Sequence, residues 1–131
     1  MTESSYREFD AVDPFGRNWR VQFRWLQNAI SIRHADAIDL KYYLSNSEEG
    51  SREIVISLPH APLLEACKKV EHPVTDGWCL RLSNRHLKEM IATWEDMDKT
   101  VVTLLPPDLD RHCRVMAEEY ASQRELAAKT R

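Results

Sequence analysis

The sequence contains few glycines and no long apolar run, and each shortage excludes a class of protein. Its three glycines, at positions 16, 50 and 77, do not form the glycine-rich loop that holds nucleotide phosphates. The Gly-x-Ser-x-Gly elbow of serine hydrolases is also missing. The longest stretch without an acidic or basic residue is 54–64, and a membrane-spanning helix needs about 20 apolar residues.

Cysteine is scarce as well, and this scarcity bears on the compartment. Three cysteines are an odd number, which favours a reducing environment over a disulfide framework. The acidic and polar start, MTESSYREFD, is not typical of a secretory signal or of a transit peptide. We therefore expect a cytoplasmic protein with no membrane contact.

The length and composition are those of one globular domain. The chain has 131 residues, of which 43% are hydrophobic and 30% charged, and its net charge is −3. Residues 1–16 show no periodicity and end in the turn signal Asp-Pro-Phe-Gly, so they are predicted to be an N-terminal arm or tail. Residues 17–131 are predicted to form a single α+β domain.

Alternating apolar and polar residues predict four strands, over 19–25, 30–33, 38–44 and 54–58. Gln27-Asn28 is typical of a turn between the first two. Short polar links of this kind favour an antiparallel meander with one face on the core and one face in water. The first strand should direct four side chains to the core: Trp19, Val21, Phe23 and Trp25.

The composition after Pro59 changes to helix formers, and about three helices are predicted to cover one face of the meander. The first precedes Pro73. The second spans about 75–96 with Thr75 as its N-cap, although a strand over 78–82 is an alternative. A short strand is possible near 100–105. Pro106-Pro107 then begins the final helix.

The histidines and cysteines between 60 and 86 raise the question of a metal or thiol site. The set is His60, Cys67, His72, Cys79 and His86. Successive gaps of five to seven residues do not match local zinc-ligand pairs, which lie two to five residues apart. Cys67, Cys79 and Cys113 instead fall on the apolar arcs of predicted helices, as buried free cysteines do. We expect no metal, no cofactor and no catalytic thiol from this set.

One face of the predicted sheet is locally basic and suggests a site for nucleic acid or another polyanion. The outward residues would be Arg20, Arg24, Arg33, Lys41 and Tyr43. Cations can meet phosphates there while bases stack on an aromatic ring. Stacking platforms usually supply two or three aromatic rings, and this face supplies one. The alternative is cross-strand charge pairing on an ordinary solvated face.

Two further features suggest other functions. Glu95, Asp96 and Asp98 lie close together in TWEDMDK and could hold Mg²⁺ or Ca²⁺ in a metal-dependent enzyme, or could form a solvated helix end. Val115 and Leu126 lie outside the main apolar stripe of the last helix and could mediate self-association. Without a convincing catalytic constellation, we expect a non-catalytic domain that acts through protein–protein contacts with an unidentified partner, and that forms a homodimer.

Overall fold

A five-stranded sheet forms one layer of the protein in the computed structural model, which describes residues 6–29 and 36–129. The strands lie side by side in chain order: β1 (Glu8–Val12), β2 (Asn18–Ala29), β3 (Ala37–Asn46), β4 (Gly50–Pro59) and β5 (Val101–Thr103). β1 to β4 are antiparallel, whereas β5 pairs in parallel with β4. The α+β class, the antiparallel meander and the short strand near 100–105 are confirmed.

Three helices form the second layer: α1 (His60–Lys69), α2 (Asp76–Thr93) and α3 (Pro106–Lys129). The Thr75 side chain accepts a hydrogen bond from the Trp78 N–H at 3.1 Å and caps α2, as the sequence predicts. The alternative strand over 78–82 is wrong, because those residues are helical. Among the described residues, no helix is long and apolar enough to cross a membrane.

The segment 1–16 contains more structure than an arm, since β1 lies within it and pairs with β2. The turn signal in this segment joins the two strands, and Asp13 holds the turn together. Its carboxylate accepts hydrogen bonds from the Phe15 and Arg17 N–H groups, each at 2.9 Å, and from Trp19 Nε1 at 3.0 Å. β1 has only five residues, in which Phe9 and Ala11 alternate with Glu8 and Asp10, and this short alternation gives a weak signal compared with those of the longer strands.

A β-bulge at Arg24 corrects the predicted orientation of Trp25. Phe23 pairs with Tyr42 and Trp25 pairs with Lys41, so β2 contains one extra residue at this point. Because side chains alternate between the two faces of a sheet, the extra residue transfers Trp25 to the outer face and Leu26 to the core face. Trp25 is accordingly 37% exposed.

The predicted turn at Gln27-Asn28 is also wrong, because both residues continue β2. Gln27 pairs with Asp39, and Asn28 pairs with Ile38. The strand predicted over 30–33, including Arg33, lies outside the described residues.

The core lies between the helices and the inner face of the sheet. Fully buried residues come from every central strand and from all three helices, among them Val21, Leu40, Leu44, Ile56, Leu63, Leu87 and Leu109. Each large apolar side chain buried in this way stabilises the fold by about 1.5–3 kcal/mol. On α3 the buried stripe ends at Met116, and residues 118–127 are exposed, so the last turns of this helix extend beyond the core.

Candidate functional site

Two cations of the predicted basic face are already paired with acids. Arg20 on β2 lies 3.4 Å from both Glu8 and Asp10 on β1, and Lys41 on β3 lies 3.2 Å from Glu53 on β4. These contacts are the cross-strand pairs of an ordinary solvated face. Arg20 and Lys41 therefore each have an acidic neighbour across the sheet.

The remaining residues of that face lie beside the bulge. The Arg24 guanidinium lies 4.9 Å from the centre of the Tyr43 ring, and Lys41 Nζ lies 5.7 Å from the Trp25 ring. Trp25 is thus a second aromatic residue on the outer face, which the sequence pattern had placed in the core. Arg33, the fifth residue of the predicted set, lies outside the described residues.

A groove of about 660 Å³ lies between β2, the first turn of α2 and the middle of α3. We call it the aromatic groove, because six of its lining residues carry aromatic rings: Tyr6, Phe23, Trp25, His72, Trp78 and Tyr120. The His72 and Trp78 rings are stacked with centroids 3.7 Å apart, and Tyr120 meets His72 edge-on at 6.3 Å. The volume lies in the range of sites for small ligands.

Three arginines line the same groove: Arg7, Arg24 and Arg81. Each guanidinium lies against an aromatic ring, Arg7 at 5.6 Å from Phe23 and Arg81 at 5.4 Å from Tyr6. Within the described part of the chain, none of the three forms an ion pair with a carboxylate, whereas Arg17, Arg20, Arg85 and Arg111 all do. The groove therefore combines flat apolar surfaces with three arginines that pair with no carboxylate of the described ranges.

The first turn of α2 forms one edge of the groove through Thr75, Asp76 and Gly77. A side chain at Gly77 would meet nothing within 4 Å, so the backbone is open to the groove at this point. The positive end of the helix dipole favours anions, although Asp76 already places one negative charge there. Three guanidinium groups against one carboxylate leave the groove lining positive.

The three cysteines are buried free thiols, as predicted. Burial raises the pKa of Cys79 to about 12. Contact with Cys67 lowers the pKa of Cys113 to about 7, and Trp78 Nε1 donates a hydrogen bond to its Sγ at 3.4 Å. Because Cys113 is 0% exposed, access limits its reactivity more than ionisation does.

A buried histidine pair connects α2 and α3. His86 Nδ1 lies 3.1 Å from His112 Nε2, and the two rings are nearly perpendicular. Burial lowers the pKa of both histidines, that of His112 to about 4, so both are neutral at pH 7. Glu89, one helical turn after His86, contacts Arg111 through both carboxylate oxygens at 2.7 and 3.0 Å, and this contact lowers the pKa of Glu89.

The acids of TWEDMDK lie near this pair but do not gather into one site. Glu95 and Asp96 line a cleft of about 570 Å³ together with His86, Glu89 and Asp108. Asp96 is paired with Lys99 at 3.0 Å, and Asp98 is not among the cleft residues. Within the described ranges, the potential metal-ligating group is His86, Glu89 and His112, and not the predicted carboxylates.

The two residues proposed for self-association differ in their surroundings. Leu126 is 67% exposed near the end of α3. Val115 is half-buried and lines clefts formed with α2, beside Arg85 and Lys88. Only Leu126 is therefore freely available to a second molecule.

No known family model, curated protein or solved structure matches this chain. Its function must therefore be argued from its own geometry.

Sequence reasoning missed both the aromatic groove and the histidine pair. The groove lining includes Trp25, whose orientation follows from the bulge at Arg24, and the alternating pattern of β2 gives no signal of that bulge. The histidine pair joins residues 26 positions apart on two helices. The one local signal is the spacing of His86 and Glu89, since residues three apart share a helix face.

Proposed function

We propose that this domain binds a small anionic ligand with a planar ring, the chemistry of a nucleotide, in the aromatic groove. The observation that supports this proposal is that three arginines, Arg7, Arg24 and Arg81, line a groove of aromatic rings and have no carboxylate partner among the described residues. Free guanidinium groups provide several donors in a planar fork that suits phosphate or carboxylate oxygens.

The two parts of the groove would recognise different parts of the ligand. Stacking of a base on an aromatic side chain contributes about 1–3 kcal/mol. A hydrogen bond between charged groups contributes about 1.5–3 kcal/mol. The His72 and Trp78 rings stack on each other, so each has one ring face already covered. The planar group of the ligand would therefore stack on two other rings of the lining, Trp25 and Tyr120.

Calorimetric titration with three related compounds tests this function. We expect a nucleoside monophosphate to bind, and its nucleoside and ribose 5-phosphate to bind at least tenfold more weakly, since each lacks one of the two recognised groups. A titration with a short single-stranded oligonucleotide distinguishes a free nucleotide from nucleic acid as the ligand. Tight, strongly salt-dependent binding of the oligonucleotide alone would favour nucleic acid, the alternative that the basic sheet suggested.

Variants locate the binding site. Arg81→Gln and Arg24→Gln should each weaken the binding of the monophosphate by about tenfold or more, because each removes a charged donor. Arg114→Gln is the matched control, since Arg114 is an exposed arginine of α3 that does not line the groove. Equal affinities in all three variants, or no binding by the wild type, would contradict the proposed function.

Self-association through the end of α3 is a second candidate function. It is supported by the exposure of residues 118–127 and of Leu126 in particular, because an apolar side chain on a projecting helix is most simply covered by a second copy. Three free thiols also support the cytoplasm as the compartment of the protein.

A further inference from the structure

We infer that His86, Glu89 and His112 form a binding site for a first-row divalent transition-metal ion such as Zn²⁺. The three residues belong to the interface between α2 and α3, in a different part of the molecule from the lining of the aromatic groove. One ligand atom from each residue lies within 4.8 Å of the others. The site is therefore independent of the proposed function.

The separation of the histidine nitrogens is the first argument. Two imidazole nitrogens bound to one ion at 2.0–2.1 Å, with an angle of 90–110° between them, lie roughly 2.8–3.4 Å apart. His86 Nδ1 and His112 Nε2 are 3.1 Å apart. A direct hydrogen bond between the two rings explains the same distance, so the distance alone does not decide between the two interpretations.

The position of Glu89 is the second argument. A hydrogen-bonded histidine pair needs no third partner, yet a carboxylate lies one turn after His86 and within reach of both rings. Glu89 shares Arg111 with Asp108, which lies 3.1 Å from the same guanidinium. Arg111 would keep its bond to Asp108 when Glu89 binds an ion, so it competes with the ion for Glu89.

The third argument is access to the site and the chemistry of its donors. Both histidines are almost fully buried, but Glu89 has 44% of its side chain exposed and borders the cleft that contains Asp96 and Asp108. An ion could enter through this cleft and keep one coordination position open to it. Two imidazoles and one carboxylate suit Zn²⁺, Co²⁺, Ni²⁺ or Fe²⁺, whereas Mg²⁺ and Ca²⁺ require oxygen ligands.

Calorimetric titration of ZnCl₂ into the full chain, after treatment with a chelator, tests the site. We expect one ion per chain, and visible absorption from Co²⁺ bound in place of Zn²⁺. Glu89→Gln should weaken binding by about tenfold or more, by comparison with the 10–100-fold losses seen when even outer-shell partners of a metal are removed. Because Glu89 is a surface residue, this variant should fold like the wild type, as checked by circular dichroism.

Further variants separate a true site from adventitious binding. His112→Gln should abolish stoichiometric binding, whereas His60→Gln, which changes an exposed histidine at the start of α1, should leave it unchanged. Arg111→Gln frees Glu89 and should strengthen binding. The inference is overturned if the wild type binds no stoichiometric zinc, if Glu89→Gln binds as tightly as the wild type, or if Arg111→Gln binds more weakly.

Discussion

The variant Val21→Ala tests whether the register of β2 directs the Val21 side chain into the core. Val21 is 0% exposed on the inner face of β2. The change removes two methyl groups, which costs about 1.6 kcal/mol at about 0.8 kcal/mol per buried carbon. A residual cavity of roughly 40 Å³ adds about 1 kcal/mol. We therefore expect the free energy of unfolding to fall by about 2.5 kcal/mol, a large part of the 5–15 kcal/mol typical of a domain.

Arg20→Ala, at the adjacent position, is the matched control. The Arg20 side chain is 48% exposed, and its two ion pairs are long and on the surface, so its loss should change stability by no more than about 0.5 kcal/mol. Urea unfolding followed by tryptophan fluorescence measures the stability of both variants. The comparison is valid if the slope of the unfolding free energy against urea concentration is the same as in the wild type. If Arg20→Ala were the more destabilising variant, the alternation of β2 would be inverted and the reasoning refuted.

Three further predictions concern other parts of the molecule. Burial opposes ionisation of Asp13, but hydrogen bonds from Arg17, Trp19 and Phe15 outweigh it and lower its pKa from 3.8 to about 2. Asp13 therefore contributes stability that is complete above about pH 4 and is lost as the pH falls towards 2. Across this range the urea midpoint should fall less steeply with falling pH for Asp13→Asn than for the wild type. Equal pH dependence in the two proteins would contradict the lowered pKa of Asp13. The buried cysteines should react slowly with a thiol reagent until the protein unfolds, and rapid native labelling of any two would show that they are accessible. Light scattering should show a dimeric wild type and a monomeric, folded Leu126→Glu variant, because the new carboxylates would meet across the two-fold axis. A monomeric wild type, or a variant that stays dimeric, would exclude self-association through this residue.

The sequence predicts those parts of the fold that depend on short-range pattern. The alternation over 38–44 and 54–58 corresponds to β3 and β4, and the capping residue Thr75 correctly marks the start of α2. These features are local, since a strand face and a helix start are each determined by residues a few positions apart.

Prediction failed where a long-range contact decides the structure. β1 has only five residues, too short an alternation to be recognised alone, and its pairing with β2 is visible only in the fold. The bulge at Arg24 is a mismatch between two strands, visible only once Phe23 and Trp25 are matched to neighbouring residues of β3. Its effect on Trp25 changes the candidate site, because a ring expected in the core becomes part of the groove lining.

The candidate sites also depend on long-range contacts, which short-range patterns do not reveal. The set Arg20, Arg24, Arg33, Lys41 and Tyr43 follows from alternation along single strands, which does not show that cross-strand acids pair with Arg20 and Lys41. The residues that now support binding come from separate elements, and each looks ordinary in its own segment. Arg81, for example, is one of several basic residues of α2, and arginine is common on helices. Its functional interest arises from the absence of a carboxylate partner in the described structure and from its place beside Tyr6, a residue 75 positions earlier in the chain. Whether a charged side chain has an acidic partner is a property of the folded chain, and alternation along a single segment does not determine it.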